Sequence, residues 1–350
     1  IPTGEDVAVE STAPHDPVLL RASLSQLALY GMLSLRGLLA VPVIIGTYYQ
    51  FQPDEWFDVR ALRRFYPDAS MLSFSWLVAI ALAIGGLLLI GIASAIWFVA
   101  RFYGYQLRRN GEDLQVSFGL ITKVSATVPR GRIQFISVQQ NLWARWLGLA
   151  NIRIETAGGS TGEGVDPAAS VARRWFIPVV SVSEIPRLLN ELRDDLGQQW
   201  VETPWQSTSP RTLRRLLFVA ALESALVTLV LCFFSWFWGV LVGLAVFLLL
   251  AFRSYRYSNS LRIYCGDGRV AYRQGLWTKR SSVTFADKLQ TARLQQSLFD
   301  RRWGMASLAI DTAGAGPAEH RIHIVYLDQA DASRMQRLIS RGATEAGFSG

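Results

Sequence analysis

The chain has few of the residues from which metal and redox sites are built. Its 350 residues include two cysteines and three histidines, with neither a Cys-x-x-Cys pair nor a Gly-x-x-x-x-Gly-Lys-Ser/Thr phosphate loop. His320 and His323 fall in one predicted strand at an odd spacing, which sends their side chains to opposite faces. No Ser/His/Asp set stands out either. We therefore predict a protein that is not an enzyme and holds no metal or cofactor.

The positions of the two cysteines exclude a disulfide bond. Cys232 lies inside a long apolar block, whereas Cys265 lies in a segment of mixed polarity that we expect outside the membrane. Two residues so placed do not meet across a membrane boundary. Both are therefore predicted to be reduced thiols.

Charge is missing from long stretches of the chain. Hydrophobic residues make up 51% of it and charged residues 18%. A membrane-spanning helix needs about 20 mostly apolar residues, and four blocks meet this requirement: residues 24–49, 71–102, 213–234 and 235–252. Buried helices of a soluble protein are the alternative, but residues 79–99 carry no charge and so no polar face.

The third and fourth blocks are almost continuous. One helix over residues 216–252 would be about 55 Å long, too long for a single crossing, so we predict a tight turn between them. Aromatic residues crowd this turn, as is typical of the headgroup level: Phe233, Phe234, Trp236, Phe237 and Trp238. The blocks predict two helical hairpins, at 24–102 with an outer loop at 50–70, and at 213–252.

Arginines flank the predicted spans on one side. Arg101, Arg211 and Arg253 each lie at a span end, and positive charge marks the cytoplasmic side. We therefore expect a multi-pass membrane protein with its soluble segments in the cytoplasm. The loop at 50–70 carries an apolar helical stripe, which fits either an interfacial helix on the outer leaflet or a helix packed on the hairpin.

Two ionisable residues, Arg36 and Glu223, lie inside predicted spans. A charge at such a depth costs a few kcal/mol or more, so it is usually paired or functional. One hypothesis is that the two residues pair within the bundle. Their different depths leave direct pairing open.

The chain repeats itself after 156 residues. This shift matches five segments without a gap: Gly119–Lys123 with Gly275–Lys279, Gln139–Leu142 with Gln295–Leu298, Arg145 with Arg301, Gly148 with Gly304, and Ile154–Gly158 with Ile310–Gly314. A gapless register of this length indicates an internal repeat.

Each repeat is predicted to form short strands followed by a helix. In the first, the pattern predicts strands at 114–118, 123–128, 133–138, 151–156 and 174–180, one or two helical turns at 142–147, and an amphipathic helix at 183–196. The second repeat closes on a helix at 328–341. The predicted fold class is an α+β membrane protein in which each hairpin precedes a curled antiparallel sheet with a C-terminal helix. The predicted boundaries are 1–23 (linker), 24–102, 103–197, 198–212 (linker), 213–252, 253–343 and 344–350 (tail).

These segments resemble the bacterial pleckstrin-homology type-two domain of YdbS/YdbT-like membrane proteins. The resemblance covers roughly residues 20–340 and is carried by the Gly-Leu-Ile-Thr-Lys turn, the segments Arg132–Gln134 and Lys288–Gln290, the Gln-Gln-Asn/Ser-Leu segments and the Thr-Ala-Gly ends. It implies cytoplasmic domains of pleckstrin-homology (PH) shape at a bacterial cell membrane. It does not imply inositide binding, because fold does not fix function.

Larger relatives of this family carry three such domains. Residues 15–21 resemble the linker that follows a preceding domain, and they parallel residues 207–214 before the second hairpin. The resemblance thus leads to the hypothesis that a further hairpin and domain precede this chain.

Basic side chains are the remaining candidates for function in a chain of net charge +8. Near an anionic leaflet each contributes about 1 kcal/mol of attraction. They form either a surface that binds anionic headgroups or an acidic partner, or an ordinary solvated surface beside a membrane. The candidates are Lys123, Arg130, Arg132, Arg145, Lys279, Arg280, Lys288, Arg293, Arg301 and Arg302.

We predict a membrane-anchored scaffold or interaction protein in an envelope-associated complex, with a protein partner or as a homo-oligomer. The alternative is a lipid-handling or transport component in which Arg36 and Glu223 line a polar path between the spans. Nucleic acid is not expected as a partner, because exposed aromatic residues are not interleaved with the basic ones.

Overall fold

The computed structural model describes residues 17–33, 75–157, 174–312 and 322–347. Its helices are α1 (Leu24–Leu33), α2 (Ser75–Phe102), α3 (Leu142–Trp146), α4 (Ile185–Leu192), α5 (Leu196–Glu202), α6 (Arg211–Cys232), α7 (Trp236–Ser260), α8 (Leu298–Trp303) and α9 (Gln329–Gly347). Its strands are β1 (Val18–Arg21), β2 (Gln106–Asn110), β3 (Asp113–Phe118), β4 (Val124–Pro129), β5 (Ile133–Gln140), β6 (Leu149–Thr156), β7 (Arg174–Ser181), β8 (Gln206–Ser207), β9 (Arg262–Gly266), β10 (Arg269–Gln274), β11 (Lys279–Phe285), β12 (Leu289–Gln295), β13 (Met305–Thr312) and β14 (Ile322–Asp328).

Three helices of the described part, α2, α6 and α7, are long and apolar enough to cross a membrane. They correspond to the second, third and fourth predicted blocks. No more than 17% of each span is buried inside the protein, so their apolar surfaces need lipid around them. The first block is described only to Leu33, where α1 packs against α2. Its remainder, and the predicted outer loop, lie outside the described residues.

The predicted turn between the third and fourth blocks is confirmed. Helix α6 ends at Cys232 and α7 starts at Trp236. Phe233 and Phe234 between them are exposed, as suits aromatic rings at a membrane interface. Cys232 and Cys265 are both free thiols, as predicted.

The strands of the two repeats follow the same order. In the first, β1 adds an edge to β2, β3 and β4, and β5, β6 and β7 are hydrogen-bonded neighbours. In the second, β8 adds an edge to β9, β10 and β11, and β12, β13 and β14 form a separate sheet. All of these pairings are antiparallel. The α+β class with antiparallel sheets is therefore confirmed.

One strand pairing joins the two repeats. Strand β5 pairs antiparallel with β11, which gives a seven-stranded sheet in the order β7-β6-β5-β11-β10-β9-β8. The hydroxyl groups of Ser137 and Ser282 share a hydrogen bond of 3.1 Å across the joint, and the Thr284 hydroxyl donates to the Gln134 carbonyl at 3.0 Å. All four residues are buried, so polar positions of both strands are satisfied by the other repeat.

The repeated Gln-Gln-Asn/Ser-Leu segments have a structural role. The second Gln of each donates from its side chain to the carbonyl that opens the next strand: Gln140 to Leu149 at 3.2 Å and Gln296 to Met305 at 3.1 Å. The residue after it, Asn or Ser, caps the helix that follows. These residues stabilise the fold in each repeat.

The helix predicted at 183–196 is interrupted. A 3-10 turn at Val182–Glu184 leads into α4, and an extended residue, Arg193, separates α4 from α5. The Arg193 guanidinium lies 3.8 Å from the centre of the Phe285 ring and 3.6 Å from the Asp287 carboxylate. Contacts with the second repeat therefore outweigh the local helical pattern. In the second repeat, the helix predicted at 328–341 is continuous as α9.

Two glycines end corresponding strands of the repeats with the same geometry. Gly119 and Gly275 have φ angles of +116° and +109°. A Cβ atom at either position would collide with the carbonyl oxygen of Thr122 or Thr278. The predicted turn thus requires glycine for its backbone conformation and for the close approach of the chain.

Replacing Gly275 with alanine should destabilise the protein strongly. The backbone strain costs about 1–3 kcal/mol, and the collision with Thr278 adds to it. Gly268→Ala is the matched control, because Gly268 has a φ of +66° but open space around it, and a left-handed alanine costs about 1–2 kcal/mol. Thermal unfolding in detergent should show the larger drop for Gly275→Ala. Equal drops would contradict the steric argument.

Candidate functional site: a basic pocket between the repeats

A pocket opens where the end of α7 meets both repeats. Its volume is about 400 Å³, within the range of small-ligand sites. The β5–β11 pairing creates it, because Gln140 at the end of β5 lies opposite Lys279 at the start of β11. Arg145 follows β5 in α3 and is thereby placed against the second repeat.

Cationic side chains dominate this pocket, which we call the basic pocket. Among the described residues that line it none is acidic, and five are cationic: Arg145, Arg256, Arg262, Arg273 and Lys279. Buried or half-buried charges are usually paired. The pocket therefore has the composition of an anion site.

Burial and the close approach of these cations lower the pKa of Lys279 and of Arg273. Burial, followed by the nearby charges of Arg273 and Arg145, lowers the pKa of Lys279. Burial and the charge of Arg262 lower the pKa of Arg273. Both shifts have the sign expected of cations that lack a counter-ion. A bound anion would oppose both effects.

Two of the arginines are fixed in position by neighbouring groups. Arg273 donates from Nε to the Ser281 hydroxyl at 3.0 Å, and its guanidinium lies 4.1 Å from the centre of the Trp205 ring. Arg262 donates to the Leu261 carbonyl at 2.9 Å. Side chains held in this way lose less entropy when a ligand binds.

A second cavity between the repeats has a different charge balance. It is lined by Arg193 and Arg269 together with Asp194, Asp267 and Asp287. The Arg269 guanidinium lies 4.8 Å from the centre of the Tyr264 ring. Three aspartates outnumber two arginines here, and Arg193 pairs with Asp287 of the other repeat at 3.6 Å. This cavity therefore lacks the excess of positive charge found in the basic pocket.

The first repeat does not contain the same set of cations. Three of the arginines correspond, under the shift of 156 residues, to uncharged residues: Arg256 to Ala100, Arg262 to Gln106 and Arg273 to Ser117. Sequence reasoning did not name these three as site residues, because the folding of the second repeat against Arg145 is what brings them together. Their absence from the first repeat does not identify them, because Arg280, Arg293 and Arg302 also lack basic counterparts and do not line the pocket.

The ten predicted surface residues separate into three groups. Arg145 and Lys279 line the basic pocket. Arg130 and Lys288 form ion pairs within the domains: Arg130 lies 2.6 Å from Asp194, and Lys288 lies 3.2 Å from Asp287. The other six are not among the residues that line the pocket: Lys123, Arg132, Arg280, Arg293, Arg301 and Arg302.

The intramembrane candidates are not brought together by the described structure. Glu223 lies on an exposed face of α6, and Arg36 lies outside the described residues. The described residues contain no group of three or more His, Cys, Asp or Glu side chains that could bind a metal ion.

Comparisons with known proteins agree with the repeated architecture. A family model described as a bacterial PH domain matches two segments, residues 40–196 and 215–343. The transmembrane protein YdbT of Bacillus subtilis (strain 168) is 23% identical over 281 residues, which cover 80% of this chain and 54% of YdbT. The chain thus spans about half the length of this curated relative. No solved structure matches it.

The two matched segments together cover most of the chain and contain the two copies of the strand order. The related protein is a transmembrane protein, and three described helices are apolar and long enough to cross a membrane. The chain is therefore a membrane protein that belongs to the bacterial PH domain family.

Proposed function

We propose that this protein is a non-enzymatic, membrane-anchored scaffold whose PH-like repeats bind an anionic lipid headgroup in the basic pocket. The observation that carries the proposal is the convergence of five cationic side chains without an acidic one among the described lining residues. A phosphate-bearing headgroup matches this chemistry, because arginine and phosphate form strong charge-assisted hydrogen bonds.

The length of α7 supports a position of the pocket at the membrane surface. The helix has 25 residues, which at 1.5 Å per residue is about 37 Å, more than the hydrocarbon core of about 30 Å. With the aromatic end at Trp236 in one headgroup layer, the core ends near Tyr255. Arg256, the next residue, and Asn259, about one turn further on, line the pocket.

In the proposed arrangement, both repeats lie on the cytoplasmic side and each follows a transmembrane hairpin. Strands β2 and β9 start within a few residues of the ends of α2 and α7. Arg101, Arg211 and Arg253 flank the spans at that side, in keeping with the excess of positive charge on cytoplasmic segments. The proposed protein is thus multi-pass, with its basic pocket facing the inner leaflet.

The scaffold part of the proposal rests on the fixed relation of the two repeats. Because they share one sheet, they present a single platform to a partner. We expect a protein partner or a second copy to bind this platform in an envelope-associated complex. The headgroup then fixes the platform relative to the membrane.

The lipid preference of the reconstituted protein tests the proposal. The double variant Arg145→Gln, Lys279→Gln should lose preferential contact with spin-labelled phosphatidylglycerol over spin-labelled phosphatidylcholine, because two of the five cations are removed. Arg301→Gln, Arg302→Gln is the matched control: it removes the same charge from exposed residues that do not line the pocket. The control should keep the preference.

An equal loss of preference in both double variants would mean that net charge alone attracts the lipid, and would contradict the pocket. Thermal unfolding of each variant checks that the fold is retained. The observed quantity is the fraction of motionally restricted lipid at fixed lipid-to-protein ratio.

The preference for the anionic lipid should also depend on pH. Burial and neighbouring cations hold the pKa of Lys279 below its usual range, so its charge is present below that lowered pKa and is lost as the pH rises through it. Phosphatidylglycerol preference should therefore weaken on the alkaline side, since that lipid keeps its charge there. In the single variant Lys279→Gln this alkaline step should be absent; an unchanged step would assign it to another group.

Glu223 favours a second candidate function, a polar path for lipid or solute along the spans. It lies about halfway along α6 and is exposed on the surface of the helix, where a carboxylate in lipid costs a few kcal/mol. On this alternative, Glu223→Gln should abolish the movement of lipid or solute by the protein in cells, while its expression and unfolding temperature remain normal. On the scaffold proposal, the same variant should retain both partner co-purification and lipid preference. Its effect on these readouts decides between the two.

A further inference from the structure

One of the two strands that join the repeats, β11, has an equivalent strand in the first repeat whose outer edge is unpaired among the described residues. Under the shift of 156 residues β11 corresponds to β4, and β5 corresponds to β12. Strand β11 is paired with β5, but β4 has β3 as its only strand neighbour among the described residues. The chain therefore contains one used and one unused copy of the same sheet edge.

Within the described residues, the unpaired edge of β4 lacks the usual protection. Natural edge strands carry charged residues or an interrupting proline, or are covered by another element. The strand Val124–Pro129 contains no charged residue; Lys123, just before it, corresponds to Lys279, which itself pairs with Gln140 of β5. The proline of the strand is its last residue. That proline lies beyond the six positions that correspond to the paired part of β11. Ser125 and Thr127 are exposed. This edge is suited to pairing.

The edge of β12 is protected against pairing with another strand. Strand β12, the counterpart of β5, carries Arg293 where β5 has Ser137. Helix α9 packs against β12, and the Gln336 side chain donates to the Ala292 carbonyl at 3.1 Å. A charge in the strand and a helix beside it are both means of protecting an edge. Strand β12 of a second copy is therefore not available as a β5-type partner for β4.

Strand β1 indicates where a suitable strand would come from. In the second repeat β8, which follows the last helix of the first repeat, pairs with the start of β9 through Ser207↔Arg262. In the first repeat β1 pairs with the start of β2 through Arg21↔Gln106. Gln106 and Arg262 are equivalent under the repeat, so β1 lies where a linker between two units lies.

We propose that the β4 edge binds the β5-type strand of a further bacterial PH unit, joined to the polypeptide on the N-terminal side of β1. The curated relative is long enough to contain such a unit, because this chain covers 54% of its length. The expected register copies that of β5 and β11. Ser281 pairs with Val138 there, so Ser125 is expected opposite the residue of the new strand that corresponds to Val138.

Disulfide cross-linking in this register tests the docking edge. The chain would carry Ser125→Cys in a Cys232→Ser, Cys265→Ser background, and the probe would be a synthetic peptide with the sequence Ile133–Gln140 and cysteine in place of Val138. Paired antiparallel residues lie within the Cα separation that a disulfide allows. We expect a mixed disulfide with this peptide, and its loss when the peptide cysteine replaces Phe135 instead.

Two controls test whether the cross-link depends on this strand edge and on this register. Gln115→Cys lies in β3, which already has a neighbour on each side, and should not react with the peptide. A peptide with arginine in place of Ser137, as in β12, should lose the cross-link. Reaction at Gln115→Cys, or reaction that does not depend on the position of the peptide cysteine, would overturn the proposal.

The source of the strand is tested in native membranes. A photo-reactive amino acid in place of Thr127 of the natural polypeptide should form a link within the same chain, to a strand ahead of β1, as mapped by mass spectrometry. A link to a separate protein would overturn the proposal. A dimer of the chain, from this residue or from Ser125→Cys without peptide, would overturn it too, because a second copy would then occupy the edge.

Discussion

The antiparallel pairing of β5 with β11 is the interaction on which the remaining arrangement depends. It pairs one sheet edge of each repeat and buries polar side chains of both strands. It also places α3 of the first repeat beside the second, which completes the basic pocket, and it places Arg193 on Phe285, which interrupts the predicted helix. A change in this register by one residue would exchange the faces of every side chain involved.

The two cavities beside the β5–β11 pairing differ in their charge, and this difference distinguishes a structural contact from a candidate binding site. At the second cavity, two arginines lie among three aspartates, and the attraction between Arg193 and Asp287 stabilises the contact between the repeats. At the basic pocket the cations repel one another, which destabilises the folded state in the absence of a ligand. A fold that tolerates such repulsion at one place, while its other cavity between the repeats supplies carboxylates to its arginines, has the character of a binding site.

Sequence reasoning predicted most of the local structure and little of the site. The strands, the turn glycines and the spans follow from periodicity and from local backbone demands, which act within a few residues. The β5–β11 pairing does not, because the polar residues of β5, such as Gln134 and Ser137, would be expected to contact solvent and not to be buried. Both faces are buried, since Ser282 and Thr284 of the other repeat supply hydrogen bonds. The pocket depends on this non-local contact, so its residues could not be grouped from sequence periodicity.

The membrane spans add to the strand pairing and to the side-chain contacts that fix the two repeats. Helices α6 and α7 pack together, and α6 is tied to the second repeat by an ion pair between Arg215 and the buried Asp300, with the Arg215 guanidinium 4.9 Å from the centre of the Tyr326 ring. In the proposed multi-pass arrangement, spans in one bilayer would hold the soluble domains at the same height and restrict their rotation. Association of the repeats is intramolecular, at a high effective concentration, and would then lose little further orientational freedom. A short pairing of edge strands, with side-chain contacts such as that of Arg193 with Phe285, is enough under these conditions.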